Sequence, residues 1–193
     1  MSTTTHPAAI PNLQAIDVPE LGEAVQCSAF ANNSPPLFIA PKAGQLDTSA
    51  AMLAWVQAHR QQLDALIVRF GGIVLRGFPI TQTADFGAVM ACFPTYEGDY
   101  RGGVAPRQHI AGQVMEATRL DKAVKLRLHS EMAYLRDFPP RIAFYSHTTA
   151  PIGGETIIAD VRGLLDALPE ALRERLLAHG IMTVRNYAPR SAA

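Results

Sequence analysis

Leu128-His129-Ser130-Glu131-Met132-Ala133-Tyr134, followed by Arg141-Ile142-Ala143-Phe144-Tyr145-Ser146-His147 and Glu155-Thr156-Ile157-Ile158-Ala159, is the stretch on which the reading of this chain turns. Short strands are predicted over 124–129, 141–147 and 155–159. Residues two apart on a strand face the same way, so His129 and Glu131 are expected to project into one pocket. A neutral nitrogen beside an anionic oxygen supplies two of the three donors of a 2-His-1-carboxylate iron site. The tripeptide alone is a weak signal, and its plain alternative is an exposed pair beside a turn.

Outward from that stretch, the spacing of Leu53, Val56, Leu63, Leu66 and Ile67 predicts a helix over 49–69, capped by Ser49 and stopped by Gly71-Gly72. Ile73-Val74-Leu75 reads as a buried strand. A second helix, capped by Thr81 or Thr83, runs through Phe86, Val89, Met90 and Phe93 to Pro94. Residues 95–112 read as a long ordered loop and 113–117 as a strand. Short helices follow over 162–168 and 170–179, with Pro169 at a helix start and Gly180 as a C-cap, then a strand over 181–187. Residues 1–48 are expected to form an N-terminal arm and loops, punctuated by Asn32-Asn33-Ser34-Pro35-Pro36, Pro41 and Gly44. Irregularly mixed strands and helices predict an α+β domain around an antiparallel sheet.

The chain has 193 residues, 48% of them apolar and 18% charged, enough for a buried core and too apolar for general disorder. Lys+Arg and Asp+Glu number 17 each, so nothing draws the molecule to nucleic acid or an anionic membrane, and a small-molecule substrate is the expected partner. Cys27 and Cys92 are too few for a disulfide framework, and the opening residues lack a basic segment followed by an apolar one, so a reduced cytoplasmic setting is expected. The greasiest stretch, Leu63 to Phe78, is broken by Asp64, Arg69 and Arg76 and does not read as a membrane span.

The His-x-Glu-Met of 129–132, Phe138-Pro139-Pro140-Arg141, Pro151-Ile152-Gly153-Gly154-Glu155-Thr156 and Ala159-Asp160-Val161-Arg162 occur in series, and Gly72-Ile73-Val74-Leu75-Arg76-Gly77-Phe78 precedes them. As a set they resemble the TauD/TfdA family of Fe(II)- and 2-oxoglutarate-dependent dioxygenases, in the branch similar to SyrP-type hydroxylases and clavaminate synthase. The resemblance runs from about residue 50 to the end of the chain. It implies a double-stranded β-helix, or jelly roll, with flanking N-terminal helices. It also implies that His129 and Glu131 hold Fe(II) and that Thr156, 27 positions after His129, contacts a carboxylate of the cosubstrate 2-oxoglutarate. A hydroxyl donates to an anion without adding charge beside the metal. Glu131 stands where related halogenases carry a small residue, which favours hydroxylation or desaturation. The loop Tyr100–Arg107 resembles the family's too, and Arg101 or Arg107 is a candidate to meet an acidic or amino-acid-like substrate, the alternative being solvated arginines.

One part of the family pattern is missing. The family's second histidine, and the arginine that grips the far carboxylate of 2-oxoglutarate, come from later strands than this sequence contains. His147 reads as a half-buried structural residue, and His179 as a helix C-terminal imidazole complementing the dipole, so neither is assigned to iron. Residues 49–193 therefore read as the N-terminal portion of a dioxygenase domain, an incomplete jelly roll whose unpaired edges and apolar face would be exposed. Three readings follow: an oxygenase inactive in this truncated form, a non-catalytic remnant or interaction module keeping its N-terminal half, and an unrelated β-sandwich binding protein.

Overall fold

The computed structural model describes residues 12–32, 34–96, 108–112, 114–117, 123–125, 127–150 and 152–184. Its centre is a four-stranded sheet in the order β1 (Leu13–Ile16), β2 (Val25–Phe30), β3 (Leu37–Pro41) and β4 (Ile73–Leu75). The first two pairings are antiparallel and β3 runs parallel to β4, with Leu37 opposite Ile73. A parallel pair needs a crossover. Here it consists of α1 (Ser49–Ala58) and α2 (Arg60–Phe70).

The core lies where these helices meet the sheet. Along β2 and β3 alternate residues are buried, sending Val25, Cys27, Ala29, Leu37 and Ile39 inward. Met52, Trp55 and Val56 of α1 and Leu63, Leu66 and Phe70 of α2 meet them, with Leu21 from a single 3-10 turn and Val89 from α3 (Thr83–Met90). Trp55 Nε1 donates to Leu21 O at 3.3 Å, so its one polar atom is satisfied inside the cluster.

Several expectations are corrected. Residues 13–41, expected as arm and loop, hold three strands of the main sheet. Pro35, Pro36 and Gly44 lie outside β3 and Pro41 only ends it, and Leu37 and Ile39 bury one face of the strand against the core. The single helix over 49–69 is two, broken at His59 (φ −108°, ψ 18°), where Trp55 O accepts from both the His59 backbone N–H and ring Nδ1. Thr48, not Ser49, caps α1 by accepting from Ala51 N at 3.1 Å, while the Ser49 hydroxyl donates to Pro79 O. The α3 cap is Gln82, in a reciprocal box with Asp85, and that helix ends at Met90. Gly71 stops α2 as expected: at φ +75° it adopts a left-handed conformation, and a Cβ there would press on Pro35 at 3.3 Å.

The C-terminal half diverges most. Among the described residues there, only a short hairpin, β5 (His109–Ala111) with β6 (Val114–Met115), and α4 (Glu170–His179) are regular. The described residues of 124–129, 141–147, 155–159 and 181–184 carry no ladder pairing, and 162–168 makes isolated turns instead of a helix. An extended segment becomes a strand only when a neighbour takes its N–H and C=O groups. Without one, Phe144, Ile157, Ile181 and Met182 stand largely in solvent. Among the described residues no helix is long and apolar enough to cross a membrane.

Candidate functional site

His129 and Glu131 lie at the start of an irregular stretch, on a turn closed by Ala133 N donating to Ser130 O. His129 Nδ1 sits 2.8 Å from the carbonyl oxygen of Arg127. A carbonyl can only accept, so Nδ1 carries the proton and the Nε2 lone pair is left for another partner. That nitrogen faces Glu131 Oε2 at 3.9 Å, with the carboxylate the less exposed of the two side chains. Second-partner hydrogen bonds of this kind orient imidazole metal ligands. Two donors with bond lengths near 2.1 Å are about 3 Å apart when cis on one cation and about 4.2 Å apart when trans, so at 3.9 Å the pair is wider than neighbouring facial ligands. Glu131 lies in this turn and His129 just before it, so the two side chains approach without the strand that was expected to present them.

No group of three His, Cys, Asp or Glu side chains arranged for a metal occurs among the described residues. His147 is exposed, not half-buried as expected, and stacks on Tyr145 with ring centroids 6.2 Å apart. His179 ends α4 as expected. Thr156 is exposed, two residues beyond Gly154. Gly154, at φ +81°, has room for no side chain, because a Cβ would fall 2.8 Å from that of Ala150. Gly153 also has a left-handed backbone, at φ +70°, and no ladder pairing follows at Thr156. Arg101 and Arg107 lie outside the described residues.

What holds this irregular stretch against the folded half is mostly polar, and sequence patterns did not show it. Arg141 Nη2 lies 3.1 Å from Asp64 Oδ1 on α2. Tyr145 stacks on Phe86 of α3 at 5.4 Å and donates its hydroxyl proton to Ile80 O. Arg162 Nη1 donates to Val68 O and Arg69 O, both at 3.0 Å, carbonyls at the end of α2. Its Nε meets both oxygens of Asp160 at 2.9 and 3.0 Å, and this bonding holds the Asp160 carboxyl down to about 2. The Ala-Asp-x-Arg motif thus ties the segment following Thr156 to a helix C-terminus, where a cation complements the dipole. A small cavity of about 120 Å³ between α1 and α3, lined by Met52, Leu53, Ile80 and Val89 among others, contains none of the sequence-predicted site residues.

Residues 39–192 match the family described as taurine catabolism dioxygenase TauD, TfdA family. The chain is 32% identical over 158 residues to a clavaminate synthase-like protein of Arabidopsis thaliana, covering 78% of this chain and 48% of that protein. It is 30% identical over 125 residues to the dapdiamide synthesis protein DdaC of Enterobacter agglomerans, covering 65% of this chain and 38% of that one. The chain thus spans about half the length, or less, of these curated relatives.

Proposed function

The chain belongs to the TauD/TfdA dioxygenase family, and from that premise we propose that it is part of an Fe(II)- and 2-oxoglutarate-dependent hydroxylase acting on a small acidic or amino-acid-like substrate in the cytoplasm. The observation that carries this reading is the 3.9 Å approach of His129 Nε2 to Glu131 Oε2 with the ring tautomer set by Arg127 O. When bound, the iron and its cosubstrate supply the oxidising chemistry. The residues of this chain supply the holding. His129 offers a neutral nitrogen, Glu131 a charge-compensating oxygen, and Thr156 a hydroxyl for a cosubstrate carboxylate. Arg101 and Arg107 are proposed to meet the substrate. The complete domain is a jelly roll, to which these residues contribute the N-terminal portion.

A third metal donor and an arginine for 2-oxoglutarate are proposed to come from sequence outside these 193 residues, leaving the chain inactive alone. The lack of ladder pairing among the described residues beyond 115 and the exposed Ile157, Ile181 and Met182 support that part of the reading. They equally favour the second reading, a non-catalytic module that keeps the family's N-terminal half. Two measurements test the proposal. Mn(II), used as a paramagnetic stand-in for Fe(II), should broaden amide signals around 129–131 in the wild type and not in Glu131→Ala; equal broadening in both overturns the ligand assignment. Incubated with Fe(II), ascorbate and 2-oxoglutarate, the 193-residue chain should release no succinate above the Glu131→Ala background. Release above it would show a working centre and refute the inactivity.

A further inference from the structure

Met132 combines two features that do not normally coincide. Its φ is +55°, a left-handed conformation that favours Gly or Asn, at the third position of the Ser130–Ala133 turn. Yet the residue is only 4% exposed, between a half-buried Glu131 and an exposed Ala133. Among the described residues beyond Val89 it is the one buried apolar side chain, and it lies outside the main core cluster. A bulky residue held in strained backbone persists only where its surroundings over-determine it, and such positions gather at functional sites.

We propose that Met132 is a positioning residue for Glu131. Its buried thioether chain anchors the turn, Leu135 N donating to Met132 O at 2.9 Å closes it from the far side, and Glu131 is thereby aimed at His129. This rests on the metal-holding reading of the His129–Glu131 pair. The opposing view is that the turn needs only a positive φ, in which case glycine would serve better than methionine.

The two views predict opposite results for the same substitutions. Mn(II) dissociation constants are measured on the 193-residue chain by electron paramagnetic resonance, with thermal unfolding followed through Trp55 fluorescence. Met132→Leu, which keeps an apolar anchor without β-branching, should bind Mn(II) within about twofold of wild type, whereas Met132→Gly should bind about tenfold or more weakly although its backbone strain is relieved. Met132→Asn, also suited to positive φ but polar, should lose as much as glycine and keeps the comparison readable if the glycine variant does not fold. The unfolding temperature of each variant shows that it is folded under the conditions of the binding measurement. Binding by Met132→Gly as tight as wild type, while Glu131→Ala binds weakly, overturns this inference alone. Equal binding by wild type and Glu131→Ala overturns the metal reading beneath it.

Discussion

Removing Arg141 should strand the carboxylate of Asp64, and the size of the effect follows from where that carboxylate sits. Asp64 lies on α2 beside Leu63 and Leu66, both fully buried, and only about a quarter of its side chain reaches solvent. Its Oδ1 is shielded from water and accepts no well-angled hydrogen bond among the described residues, so the Arg141 guanidinium at 3.1 Å compensates it by charge rather than by a directed bond. Leaving a shielded oxygen without compensation costs about 1–3 kcal/mol, and fully buried ion pairs lose about 3–5 kcal/mol when broken from one side. Partial exposure places this case at the lower end, about 1–2 kcal/mol for Arg141→Ala. In an Asp64→Ala background the same substitution should cost less than about 0.5 kcal/mol, as at an ordinary surface site. Urea unfolding followed by Trp55 fluorescence, run on both single variants and the double, gives the coupling directly. Strict additivity within about 0.5 kcal/mol would show that the 3.1 Å approach carries no energy, and the reasoning would fail.

Leu63→Ala, at a fully buried α2 position, should destabilise by about 2–5 kcal/mol. Leu177→Ala, on the largely exposed α4, should change unfolding by less than about 0.5 kcal/mol in the same assay. The Cys27 thiol is pushed up to about 11, first by burial and then by Glu20 and Asp17. Its unfolded value is 9.0, so below pH 9 it favours neither state; from there to about 11 the unfolded chain sheds the proton first and stability falls. Cys27→Ser, which does not titrate in this range, should lose less stability between those limits. Native Cys27 should also alkylate at pH 8 about a hundred-fold more slowly than in urea, because the thiolate is that much scarcer; equal rates would refute the shift.

The sequence and the structure divide this protein along a physical line. Ile73-Val74-Leu75 as a strand (half-buried rather than buried), the helix through Phe86 and Val89, the helix from Glu170 and the stop at Gly71 were legible because each is written in contiguous residues: period, cap and punctuation act over a few positions. The same holds for the convergence of His129 and Glu131, since residues two apart cannot be far apart in space. Family membership was legible from a series of short motifs for the same reason. Strand pairing is a different kind of fact. Whether Leu37–Pro41 forms a ladder and Glu155–Ala159 does not depends on which backbone lies alongside, and no local pattern encodes that neighbour. The clasp of Arg162 on the end of α2 and the water-shielded Asp64 beneath Arg141 likewise exist only because groups distant in sequence meet. The chain by itself determined which side chains lie close along the backbone; tertiary structure decided what they rest against, because compensation of buried polar groups is settled by contacts made across the fold.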